Sequence, residues 1–171
     1  MSDRQTTIPG LPAYLQGYLN KAGSSEVDAA LQLALERTIR TFGAIDEEGS
    51  LHRYAPGKWS IREMLQHITD SERIFAYRAL RFARNDVTNL PSFDENAYAT
   101  ASKADHRSLR SILDEHLTVR EASRSLFAGL DGEMLDGSGI AGGNRVGVRA
   151  LGLIIAGHAE HHCDILEQRY R

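Results

Sequence analysis

The stretch Val148-Arg149-Ala150-Leu151-Gly152-Leu153-Ile154-Ile155-Ala156-Gly157-His158-Ala159-Glu160-His161-His162-Cys163-Asp164-Ile165-Leu166-Glu167-Gln168-Arg169-Tyr170 decides the fold. Leu151, Ile155, His158, His162, Ile165 and Arg169 recur at three- and four-residue spacing, so one stripe runs the length of a helix over about 147–170. A buried stripe that carries two histidines must face other helices.

Working outward from it, three more segments repeat the pattern. Ser25 with Asp28 reads as a capping box that opens a helix over about 26–43, with Val27, Ala30, Leu31, Ala34, Leu35, Thr38, Ile39 and Phe42 on one side. Tyr54 to Ser60 is turn chemistry, and Ser60 with Glu63 is a second capping box at the head of a helix over about 60–84. Met64, His67, Ser71 and Ile74 share a line on it, which Leu65, Ile68, Phe75 and Leu80 broaden. Ser102 with Asp105 suggests the start of a helix over about 103–129, whose inward residues are Leu109, Ile112, Leu113, His116, Val119, Ser123, Leu126 and Phe127. The intervening 85–101 reads as a long connection, the Gly-rich 131–147 as a loop, and the N-terminal segment from Ile8 to Pro12 as irregular chain punctuated by Pro and Gly.

Four amphipathic helices with no convincing strand pattern predict an all-α four-helix bundle, with residues 1–171 as a single domain. The long second connection can run back along a whole helix, so helices two and three are expected to be parallel and the order up-down-down-up. A chain of 171 residues with 42% hydrophobic content can bury such a core without cross-links, and a lone cysteine, Cys163, excludes an internal disulfide and any cysteine-based zinc knuckle. A net charge of −3 without a basic block points away from nucleic acid and anionic membranes. No apolar run reaches the length of a signal peptide or a membrane span, which predicts a cytoplasmic protein acting on a small molecule.

His158 and His162 lie one turn apart on one helix face, and their side chains can converge on one ion. His67, two turns into its own helix on the inward line, is the natural third donor. His161 has an alternative spacing of three from His158 but leans off the apolar stripe. Three neutral imidazoles leave a coordination position open, the pattern of a catalytic metal, and Zn²⁺, Ni²⁺, Fe²⁺ and Mn²⁺ all suit the donor type. A water taken up there would be acidified towards neutrality, and a thiol held as thiolate.

Other residues weigh less. Asp70, one turn after His67, and Glu160 are weak candidates for a general acid or base; Asp70 could equally orient an imidazole or be solvated. His116 reads as a core or pocket-lining residue, Trp59 as a hydrophobic staple or core anchor, and Cys163 as structural. Glu72 to Arg78 mixes charges with aromatics, the pattern of a helix face ion-paired to a neighbour; binding of an acidic substrate is the alternative.

Three segments together resemble the DinB/YfiT-like superfamily of metalloenzymes: Pro56-Gly57-Lys58-Trp59-Ser60 leading to Gln66-His67-Ile68-Thr69-Asp70, Leu90 to Tyr98, and Ala156 to His162 with Glu167-Gln168-Arg169-Tyr170. The resemblance implies the same up-down-down-up bundle, a homodimer, and a divalent metal on His67, His158 and His162 rather than His161. It also implies chemistry with a low-molecular-weight thiol such as bacillithiol, mycothiol or glutathione. A thiol S-transferase is therefore the first expectation, with a metal-dependent hydrolase and a non-catalytic, stress-associated metal-binding protein as alternatives.

Overall fold

A computed structural model describes residues 10–170. Ile8 and Pro9 of the expected irregular segment lie outside the described residues. The four long helices are α2 (Val27–Gly43), α3 (Ile61–Ala83), α5 (Leu109–Ala128) and α7 (Val148–Arg169), joined by shorter α1 (Ala13–Asn20), α4 (Glu95–Ser102) and α6 (Gly132–Asp136). A two-stranded antiparallel hairpin, β1 (Ser138–Ala141) and β2 (Asn144–Gly147), leads into α7.

Cross-helix bonds fix the directions. Arg37 reaches Glu160 and Thr41 reaches Glu167, so α2 and α7 run parallel. Tyr170 donates to the Trp59 carbonyl just ahead of α3, while the Nε2 atoms of His67 and His158 meet further along, so α3 opposes α7. Arg62 bonds the Arg107 carbonyl and Glu72 pairs with Arg120, which makes α3 and α5 parallel. Arg120 reaches back to the Leu31 carbonyl and Arg124 to Asp28, which makes α5 and α2 antiparallel. The order is up-down-down-up, as the long connection predicted.

The expected core largely lies inside, with Leu31, Phe42, Leu65, Ile68, Ile112, Leu151 and Ile155 almost wholly removed from water. Ile39, Leu80 and Arg169 are exposed instead, Leu80 at the rim of a groove that it shares with Val119 and Leu126 of α5.

Several local expectations are overturned. The Ser25 and Asp28 capping box does not form: Glu26 is the N-cap without a side-chain bond, and the Ser24 hydroxyl accepts from the Glu26 N–H. Ser102 does not open the third helix but closes α4, because Lys103 enters the left-handed region at φ 51° and breaks the chain there. The cap is Ser108, six residues on, which accepts from the Ser111 N–H. Asp105 instead takes bonds from Ser60 and Arg53. The Ser60/Glu63 box forms in full, and fixes where α3 begins.

The connection 85–101 contains α4, capped by Asp94, whose carboxylate accepts from the Asn96 and Ala97 N–H groups. The Gly-rich segment is not a loop. Gly142 and Gly143, at φ 57° and 79°, make the two-residue turn with both central φ positive that a hairpin prefers. Gly10 to Pro12 are irregular as expected, and just beyond them, where the sequence reading names no element, the chain forms α1, held on α7 by a close approach: a Cβ on Gly157 would lie 1.7 Å from the Tyr18 carbonyl oxygen. Among the described residues no helix is long and apolar enough to cross a membrane.

Candidate metal centre

The Ser60 cap sets the phase of α3, so His67 points to the seam with α7, where His158 and His162 stand one turn apart. The His67 and His158 Nε2 atoms are 3.0 Å apart, and so are those of His162 and His158. All three rings offer an atom within 4.8 Å of the others, and all three side chains are buried. Burial, reinforced by neighbouring imidazoles, drives His158 and His162 well below the usual histidine range, and burial with the charge of His161 takes His67 down to about 4. At neutral pH the three are therefore uncharged bases.

Neutral rings meeting nitrogen to nitrogen cannot all be satisfied by one another. A ring nitrogen offers either one proton or one lone pair, and the His158 Nε2 faces two partners. Two nitrogens each about 2.0–2.1 Å from one ion stand roughly 2.9–3.4 Å apart, so the observed 3.0 Å suits shared ligation. The Ser71 hydroxyl lies 3.5 Å from the His67 Nδ1 and can take its proton, leaving Nε2 free as a ligand. The His162 Nδ1 has no partner among the described residues.

Aromatic rings wall the trio. Trp59 packs over His67 at 4.6 Å between centroids, and Tyr18 meets His158 edge-on at 5.0 Å. Trp59 thus belongs to the site rather than acting only as a staple. His161 is half-buried against Tyr18 and stands outside the trio.

A cavity of about 520 Å³ opens onto His67 and His158, with Phe75, Phe93, Arg78 and Glu95 in its walls. A second, of about 220 Å³, borders His162 and Trp59. Glu95, in the first turn of α4, lines both. Its carboxylate is close enough to Tyr18 to add to burial in raising that phenol above its usual range.

Neither weak candidate for acid or base lies in these walls. Asp70 accepts from Gln66 on the side towards α5, and burial raises its carboxyl. Glu160 is held by Arg37 at 2.6 Å. A helical phase places both beside the histidines in sequence but turned away from the cavity. Glu95 lies in a stretch whose composition predicts only a connection; the Asp94 cap followed by an acidic residue is the local signal for the helix that carries it.

Four other residues fall inside the core. Cys163 is buried near Thr38, and burial pushes its thiol up to about 11. His116 and the pair Glu72 and Arg120 form a polar cluster between α3 and α5. His116 lies 3.2 Å from the Thr69 hydroxyl, whose one proton goes to the Leu65 carbonyl. His116 therefore donates from Nδ1 and keeps a bare Nε2, which has no partner among the described residues.

The sequence profile of the DinB superfamily matches residues 30–166, and the chain belongs to that superfamily. It is 27% identical over 128 residues, 74% of this chain and 73% of the other, to an Oceanobacillus iheyensis protein named "Putative metal-dependent hydrolase". Its fold is similar to that of YfiT from Bacillus subtilis, described as a probable metal-dependent hydrolase with an unusual four-helix bundle topology. That match has a TM-score of 0.68 at 13% identity and covers 96% of this chain and 92% of YfiT.

Proposed function

We propose that His67, His158 and His162 hold a divalent metal ion and that the protein is a metal-dependent hydrolase of a small molecule bound in the 520 Å³ cavity. The observation that carries this reading is the convergence of three buried, uncharged Nε2 donors, with His67 and His158 in the wall of this cavity and His162 in that of the smaller one. A divalent ion there would polarise a substrate oxygen and lower the pKa of whatever it coordinates. Asp or Glu donors are absent from the trio, so the ligands bring no charge of their own, and a bound ion keeps its full positive field towards the cavity.

The chain's own residues supply the rest. Glu95 takes part in no ion pair among the described residues and borders both cavities, so it is free to accept a proton from the attacking water and return it to the leaving group. Ser71 orients His67, and Trp59 and Tyr18 keep bulk water from the rings. The named relatives support hydrolysis. The low-molecular-weight-thiol S-transferase implied by the resemblance would use the same ion, and one measurement separates the two: whether turnover needs added thiol.

The test is an ester and amide panel with metal-loaded protein, with and without thiol. Glu95→Gln is expected to lower kcat roughly a hundredfold with metal content unchanged. Full activity in that variant would remove Glu95 from the chemistry, and turnover only with thiol would replace hydrolysis by transfer.

A further inference from the structure

The arginines of this chain follow a rule with one exception. Among the described residues, each arginine that is buried or half-buried has a carboxylate partner: Arg37, Arg62, Arg81, Arg107, Arg120, Arg124 and Arg149. Arg78 is half-buried and has none. It lies in the wall of the large cavity, on the same helix as His67.

Its position is nonetheless fixed. One Nη2 proton goes to the Pro91 carbonyl at 2.7 Å, and the guanidinium carbon lies 5.8 Å from the Phe75 ring centroid and 6.0 Å from that of Phe93. A guanidinium has five N–H donors, so most of its fork remains for something else. Burial works against its charge, a cost that an anion in the cavity would offset.

We propose that Arg78 is the anchoring residue for a substrate carboxylate, so that the natural substrate is an elongated, partly apolar carboxylic acid whose reacting group lies at the histidine trio. The planar fork matches a carboxylate in two parallel bonds. The aromatic walls suit an apolar body between the two ends, and Asp94 and Glu95 in the same walls disfavour a dianion such as a phosphate monoester. Arg78 follows His67 by eleven residues, about 16 Å along the helix, hence the elongated shape. This deepens the hydrolase reading and rests on it for the identity of the reacting end.

The test compares 4-phenylbutyrate with its primary amide, titrated by calorimetry into the wild type, Arg78→Met and Arg78→Lys, each as metal-loaded protein and again after chelation. The wild type is expected to bind the acid about tenfold tighter than the amide in both states. Arg78→Met should abolish that preference and Arg78→Lys keep part of it. The ratio is insensitive to general damage to the Pro91 loop, which would weaken both probes alike. Equal binding of the two probes, no binding of the acid, or a preference that survives Arg78→Met overturns the proposal; a preference that survives Arg78→Met but vanishes on chelation would place the carboxylate on the ion. An intact preference without turnover of any ester or amide would instead sink the hydrolase reading and leave the anion site standing.

Discussion

Two buried polar clusters hang from α3, and they are built on opposite plans. Between α3 and α5, Arg120 gives Nε and Nη2 to the two oxygens of Glu72 at 2.8 and 2.9 Å and Nη1 to the Leu31 carbonyl at 2.7 Å. Charge meets charge and donor meets acceptor. Burial opposes the Glu72 charge, but Arg120 still holds the carboxyl below its usual value. Between α3 and α7, three like bases face one point beside a cavity, with Nε2 atoms that cannot all be satisfied by one another. A matched cluster completes itself and stabilises a packing arrangement. A cluster of convergent lone pairs calls for a proton donor or a cation from outside, and that difference sets a self-completing polar core apart from a candidate binding site.

Removing the central donor should break the second plan most severely. His158→Ala is expected to weaken Zn²⁺ or Ni²⁺ binding roughly a thousandfold, measured by competition with a chelator, whereas His161→Ala should leave it within about twofold. Similar losses in both variants would mean that the ion, if bound, is not held by the trio.

The first plan should break next. Arg120→Met leaves the Glu72 carboxylate buried and alone, and should cost about 3–5 kcal/mol in urea unfolding. Glu72→Met with Arg120→Met should recover most of that loss, because the demand for a partner disappears with the charge. A double variant no more stable than the single one would show that Arg120 acts through its bond to Leu31 rather than through the pair.

Acid should distinguish the clusters by a smaller effect. Burial, more than the nearby Arg120, holds His116 at about 4 in the fold against 6.5 for a free histidine. Between those values the unfolded chain binds the proton and the folded chain does not, so the contribution of a neutral His116 is complete above pH 6.5 and is lost as pH falls towards 4. The loss amounts to about 3 kcal/mol near pH 4. His116→Asn, which keeps a donor towards Thr69, should flatten the melting temperature between pH 7 and 4 relative to wild type in the same metal-replete buffer. An unchanged slope would assign the acid sensitivity to other groups.

Much of this was legible in the chain and some was not, for reasons that can be named. Long stripes such as Leu151 to Ile165 survive tertiary context because every turn repeats the same information. Single capping signals do not repeat: Ser60 with Glu63 formed its box, while Ser25 with Asp28 and Ser102 with Asp105 did not, since Lys103 breaks the chain and the Asp105 carboxylate is taken by Ser60 and Arg53. Short elements escaped for the same reason. α1, α4 and the hairpin have too few residues to display a period, and α1 docks through a contact between Gly157 and the Tyr18 carbonyl that no local pattern encodes.

The sequence by itself determined the four long helices, their apolar faces and the inward-facing set of His67, His158 and His162, because side-chain direction on a helix follows from spacing alone; that His67 meets the other two was decided by packing. Only the tertiary structure decided what surrounds that set. It turned Asp70 and Glu160 away, brought Glu95 from a distant turn, and left Arg78 in the cavity wall with no carboxylate partner among the described residues. Those relations join residues far apart in the chain, where spacing carries no information and only the packing of one element on another determines which groups meet.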